Sequence, residues 1–182
     1  TCFNGDGNDY SAELHVAGRA AAAVAIGAAE RVDSEPALAV TLVQGIARAE
    51  WPARMQRLTS GALVSVAPHD SEIWLDGGHN PDGGRVVAAA LGDLEERVSR
   101  PLVIIAGMMG NKDAGGFLAN FAGLTRHIVA VKIPDQDNAM ALDVLADAAR
   151  HLGMRVETAL SVEAALGGIA KLAYEVPPRI LI

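Results

Sequence analysis

Apolar residues recur along this chain with two alternating spacings. Over 102–106, 127–131 and 179–182 they run nearly unbroken for several positions, the pattern of strands buried on both faces. Between these runs the period lengthens. Val87, Leu91, Leu94 and Val98 predict a helix from Asp82 to Val98, since three- and four-residue steps gather side chains into one stripe. The same reading predicts helices near Gly116–Leu124, at Ala139–Leu152 and at Val162–Tyr174, with a strand at Arg155–Thr158. Strands alternating with helices imply βαβ units, hence a mainly parallel, Rossmann-like sheet with helices on both faces and right-handed crossovers. Two short runs, Ala62–Ala67 and Glu72–Leu75, flank Pro68-His69-Asp70-Ser71. That spacing predicts an antiparallel hairpin at the start of the sheet.

Upstream the pattern is helical. Alanine dominates Gly18–Arg31 and favours helix. A second helix is expected over Glu35–Ala49, with Ser34 as N-cap, Pro36 in the first turn and Leu38, Leu42 and Ile46 on one face. Trp51-Pro52 ends it. Two parts are therefore expected: residues 1–50 as a helical segment trailing a preceding domain, and 51–182 as an α/β layer. Because the last run, Arg179–Ile182, is a strand, the α/β domain is expected to be truncated at its C-terminus.

Composition narrows the function classes. The 182 residues carry a net charge of −7 and are 51% hydrophobic. Only three lysines, Lys112, Lys132 and Lys171, are present, so there is no basic footprint for a nucleic acid. Cys2 is the single cysteine, which excludes an intrachain disulfide and a cysteine zinc site. No apolar run approaches the roughly 18 residues of a membrane span, and no signal segment opens the chain. A cytoplasmic protein without a membrane partner is expected.

Three stretches carry chemistry. Leu75-Asp76-Gly77-Gly78-His79-Asn80-Pro81-Asp82-Gly83-Gly84 joins a strand to a helix, and ligands of open α/β sheets bind at such strand ends. Asp76 and His79 can reach one ligand there. Asn80 suits an N-cap and Pro81 the first helical position, and the helix N-terminus can receive an anion. An ordinary strand–turn–helix connection would account for Asp76 and Asn80 but has no need of His79. Gly107-Met108-Met109-Gly110-Asn111-Lys112-Asp113 follows another strand and falls at the same sheet edge. Lys112 can set a cation beside a carboxylate or phosphate, and Asp113 can orient it or cap the next helix; a solvated lysine in a turn is the alternative. Arg54, in Glu50-Trp51-Pro52-Ala53-Arg54-Met55-Gln56, lies at the break between the two parts, where a guanidinium can pair with phosphate. No phosphate-binding G-x-x-x-x-G-K-[ST] loop and no G-x-G-x-x-G occur. His15, His69, His127 and His151 are dispersed and are expected at the surface or at helix ends.

Taken in order, Trp51-Pro52-Ala53-Arg54, then Leu75 to Pro81, then Gly107 to Asp113 resemble the C-terminal domain of folylpolyglutamate synthase/dihydrofolate synthase, in the Mur ligase superfamily. Ile133-Pro134-Asp135-Gln136-Asp137-Asn138-Ala139-Met140 and Pro178-Arg179-Ile180-Leu181-Ile182 resemble the same domain. The resemblance implies an ATP-dependent ligase of folate biosynthesis and one-carbon metabolism. ATP phosphorylates a carboxylate of dihydropteroate or of a folate, and the amine of L-glutamate then displaces phosphate to give an amide. By the same resemblance Arg54 and Asp76 contact ATP, His79 stands near the nucleotide as a catalytic candidate, and Lys112 and Asp113 face the glutamate side. The phosphate-binding loop and the Mg²⁺ ligands would belong to an N-terminal ATPase domain. Where family members carry His-Gln-x-x-Asn-Ala, this chain reads His15-Val16-Ala17-Gly18-Arg19-Ala20, with Arg19 in place of the asparagine. A peptidoglycan-type Mur ligase and a non-catalytic binding domain of the same fold are the alternatives.

Overall fold

Six strands and five helices alternate through residues 52–182, the residues that this computed structural model describes. In chain order they are β1 (Gln56–Leu58), α1 (Ala62–Val66), β2 (Glu72–Leu75), α2 (Pro81–Arg97), β3 (Leu102–Ala106), α3 (Ala114–Ala119), β4 (Thr125–Val131), α4 (Leu142–His151), β5 (Arg155–Ala159), α5 (Val162–Ile169) and β6 (Arg179–Leu181). The helices expected over Gly18–Arg31 and Glu35–Ala49 lie outside the described residues.

The strands form one sheet in the order β1-β2-β6-β3-β4-β5. Only the β1–β2 pair is antiparallel; every other neighbouring pair is parallel. From β2 to β5 the crossovers advance in one direction, and α2, α3 and α4 pack on one face. The chain then reverses, runs α5 along the other face and inserts β6 between β2 and β3. A right-handed crossover changes face when its direction reverses. Alternate strand residues feed the two cores: Ile104, Ile128 and Leu181 meet Val87, Leu91, Phe117 and Leu145, whereas Val103, Ile105, Val129 and Ile180 meet Leu166 and Ile169. This double burial is the reason for the unbroken apolar runs.

The expected mainly parallel sheet and its antiparallel start are present, but the antiparallel partner is a different segment. Ala62–Ala67 is not a strand. Residues 62–66 form the helix α1, and β2 pairs with Gln56–Leu58 instead. Ala62-Leu63-Val64-Ser65-Val66-Ala67 suits either period over so short a run. What decides is packing: Leu63 and Ala67, four residues apart, both lie against the core on the α5 face. Three other helices are shorter than their periodicity predicts. α3, expected near Gly116–Leu124, runs from Ala114 to Ala119. α4 starts at Leu142 because Met140 donates its N–H to Met108 O at 2.8 Å, tying 139–141 to the loop after β3. α5 ends at Ile169, just past Gly167-Gly168, residues that weaken helix.

Arg179, 2% exposed, closes the edge where the strands begin. Its Nε donates to Glu72 at 2.9 Å and its Nη1 to Glu95 at 3.3 Å, while Nη2 reaches Val98 O at 3.0 Å at the end of α2. Burial works to raise the Glu72 carboxyl, yet the Arg179 guanidinium holds it below its ordinary value. The network joins β2, β6 and α2 by side chains more than 80 residues apart in the chain.

Candidate functional site

Five parallel strands present their C-terminal ends along one edge, and the loops after β2 and β3 meet there. Asp76 is the first residue past β2. Its N–H continues the ladder by donating to Ile182 O at 2.9 Å. Its carboxylate accepts two backbone N–H groups, Oδ1 from Gly78 and Oδ2 from Met55, each at 2.7 Å. The second bond crosses to the segment that precedes β1. Gly77 N–H reinforces it by donating to Ala53 O at 2.9 Å.

Between these two tethers stands Arg54. Its neighbours Ala53 and Met55 have φ of 55° and 40°, in the left-handed region that residues with a Cβ seldom adopt. Such geometry persists where surrounding contacts over-determine it, and the bonds to Asp76 and Gly77 do so here. Arg54 Nη1 donates to Ala53 O at 2.9 Å and lies so close to Gly77 that a Cβ there would collide with it. Arg54 Nε is buried with no hydrogen-bond partner among the described residues. An unmet buried N–H is costly, and the planar fork of a guanidinium matches phosphate or carboxylate oxygens.

His79 completes this cluster. Its Nδ1 lies 2.9 Å from Gly77 O; a carbonyl oxygen only accepts, so Nδ1 is the donor of this bond. Asn80 Oδ1 then caps α2 by accepting Gly83 N–H at 2.7 Å, with Pro81 in the first turn. The positive end of a 17-residue helix thus faces the edge. Gly84 lets α3 approach α2, since a Cβ there would stand 2.7 Å from Phe117 O.

The neighbouring loop is organised differently. Met108 is buried beneath it, and Gly110 N–H donates to Asn138 O at 2.7 Å. Asp113 Oδ1 caps α3 by accepting Gly116 N–H at 2.8 Å, the capping role open to it from the sequence. Lys112 donates its backbone N–H to Met109 O at 3.1 Å, and its side chain is partly exposed. Asn120, at the end of α3, joins that helix to the start of α2, its Nδ2 lying 3.0 Å from Pro81 O and 2.8 Å from Gly116 O. A cavity of about 50 Å³ between the strand ends, lined by Asp76, Gly78, Gly107, Phe117 and Ile182, has room for water alone. A larger ligand would have to lie across the edge rather than in it.

Arg54, Asp76 and His79 are therefore brought together through hydrogen bonds to the backbone of Ala53, Met55, Gly77 and Gly78, with Lys112 and Asp113 on the adjoining loop. Sequence reasoning overlooked the backbone of Ala53 and Met55, the close approach at Gly77, and Asn120. Gly77 alone left a signal, as one of two adjacent glycines after a strand. Among the described residues no group of three or more His, Cys, Asp or Glu could hold a metal, and no helix is long and apolar enough to cross a membrane.

The larger cavity, about 510 Å³, lies at the opposite edge and is lined by Leu102, Leu124, His127, Arg155 and Tyr174 among others. His127 is neither a surface nor a helix-end residue. It sits on β4, 14% exposed, with Nε2 3.3 Å from Glu157 Oε1. Burial holds its imidazole below the ordinary 6.5; Glu157 opposes this and Arg155 adds to it. Arg155 pairs with the same Glu157 oxygen, while His127 Nε2 and Tyr174 Oη are buried without a hydrogen bond among the described residues.

The Mur ligase, glutamate ligase domain family matches residues 53–176. The chain belongs to this family. Within it, the domain is 29% identical over 97 residues to the folylpolyglutamate synthase of Lacticaseibacillus casei, covering 53% of this chain and 20% of that protein. Among solved structures it is similar to the Mycobacterium tuberculosis folylpolyglutamate synthase complexed with ADP and AMPPCP, at 26% identity and a TM-score of 0.59, over 79% of this chain and 32% of that one. The E. coli FolC in complex with ADP shares the fold, with a TM-score of 0.62 at 21% identity over 88% of this chain and 35% of that one. The domain thus spans a fifth to about a third of the proteins it matches.

Proposed function

We propose that this domain serves an ATP-dependent ligase that adds L-glutamate to dihydropteroate or a folate through an acyl phosphate. The observation that carries the reading is the Arg54 guanidinium, held at the C-terminal sheet edge beside Asp76 and His79 with a buried, unmet Nε. A phosphate oxygen would satisfy that donor once the guanidinium turned toward it. The same arrangement fits ATP: Arg54 on the phosphates, Asp76 on the ribose side and His79 beside the nucleotide. ATP supplies the phosphoryl group that makes the carboxylate oxygen a good leaving group. The work of this domain's residues is to orient and to stabilise charge. Lys112 and Asp113 are assigned to the glutamate side.

Mg²⁺ we assign to an N-terminal ATPase partner domain, because the described residues offer no metal-ligating group of three and the chain contains no P-loop lysine motif. The folate-type relatives favour this reading over a peptidoglycan-type ligase. It places the protein in the cytoplasm, where ATP and folates are at hand. ADP titrated into the ¹⁵N-labelled chain should shift the amides of Arg54 and Gly77–His79 with weak affinity and leave His127 and Arg155 unmoved. Absence of those shifts would overturn the site. Glutamate-dependent ADP release by the 182-residue chain alone would overturn the assignment of phosphate and metal binding to a partner domain.

A further inference from the structure

Both oxygens of Asp76 already accept backbone N–H groups at 2.7 Å, and one of the donors, Met55, is the residue after Arg54. On the other side of Arg54, Ala53 O receives the N–H of Gly77, the residue after Asp76. Two bonds thus clasp a turn whose flanking residues both have left-handed φ, and a turn of that kind needs outside bonds to persist. The guanidinium then lies over Gly77, where no side chain fits. We propose that Asp76 and Gly77 are positioning residues for Arg54: Asp76 holds the strained turn closed, Gly77 leaves the space in which the guanidinium lies, and both act on the nucleotide through Arg54. The inference deepens the nucleotide reading given above and rests on it.

Asp76→Asn separates this role from direct contact with a ribose. An asparagine still offers groups to a hydroxyl, but its Nδ2 would face an N–H donor where Oδ1 or Oδ2 accepted one. In the ligand-free chain, amide exchange at Met55 or Gly78 should accelerate by about tenfold or more in this variant, by loss of a charge-assisted bond. Nucleotide affinity, followed by ADP titration, should fall about tenfold in Asp76→Asn and in Arg54→Gln, with the double variant no weaker than Arg54→Gln alone, since groups acting through one another are not additive. Gly77→Ala keeps the carboxylate and should weaken ADP as Arg54→Gln does, while Met55 amide protection is retained. It covers the case in which Asp76→Asn fails to fold. Unchanged amide exchange in Asp76→Asn would sink the clasp, and multiplying effects in the double variant would return Asp76 to direct contact. If the unmutated chain shows no ADP shifts, the nucleotide reading fails by itself, and the amide exchange still decides the clasp.

Discussion

Where the strands begin, Arg179 donates to Glu72, Glu95 and the carbonyls of Leu94 and Val98, and Arg100, whose Nε makes no hydrogen bond, still lies 3.7 Å from Glu72. Where the strands end, Arg54 donates to the single carbonyl of Ala53 and keeps a buried Nε without a partner among the described residues. The carboxylate beside Arg179 neutralises it; the carboxylate beside Arg54 accepts backbone N–H groups instead. Matched charges hold elements together, because breaking a buried pair strands one charge in the interior. A guanidinium left unmatched in a rigid frame has its binding capacity in reserve. The difference lies in how the charges are satisfied, since both edges use the same residue types.

The contrast can be broken most severely at Arg179. Arg179→Met takes the hydrogen-bonded partner from half-buried Glu72, leaving it Arg57 and Arg100 at 3.7 Å, and should cost about 3 kcal/mol in urea unfolding, the low end of the penalty for removing one partner of a buried pair. ADP-induced shifts at Gly77–His79 should survive it. Arg54→Gln should do the reverse, changing stability by no more than about 0.5 kcal/mol while weakening ADP about tenfold, or about 1.4 kcal/mol. Equal losses of stability in the two variants would erase the distinction. Asn80→Ala tests the cap that turns α2 toward the ligand edge; it should cost about 1 kcal/mol, with faster exchange at the Gly83 amide.

The smallest effect is a pH dependence at the opposite edge. The His127 pKa in the folded chain lies below the ordinary 6.5, so between the two values the unfolded chain binds more protons. Its contribution to stability is complete above 6.5 and is lost as pH falls toward the folded value. Glu72 and Glu95 lie below their ordinary 4.5, so their contributions vanish only at more acid pH, as each folded value is passed. Thermal unfolding followed against pH should show a shallow first decline below about 6.5, absent in His127→Gln, and a steeper acid limb that persists. A first decline that survives His127→Gln would place its origin elsewhere.

Much of the fold was legible because its signals are local. Leu102–Ala106 is predicted to the residue, and α2 departs from its expected bounds by one residue at each end. Asn80 and Asp113 could be read as caps because a cap lies within three residues of the N–H it meets. The misread segment, Ala62–Ala67, is six residues long, too short for its own period to choose between strand and helix, and α5 chose for it. His127 misled for a related reason: nothing near it in the chain announces Glu157, which only the pairing of β4 with β5 brings alongside.

By itself, then, the sequence determined the parallel layer, the helix that opens at Asn80, and the three loops proposed to carry ligand chemistry. Hydrophobic periods and caps act over a few residues and need no knowledge of the rest of the chain. Tertiary structure decided what those loops do together. The bond from Asp76 to Met55 spans 21 residues; it depends on β1 lying antiparallel beside β2 and β6 being inserted on the other side. No spacing in the sequence encodes that distance. Sheet order brings Arg54 against Gly77, and only that closeness turns a lone arginine and a glycine loop into one site.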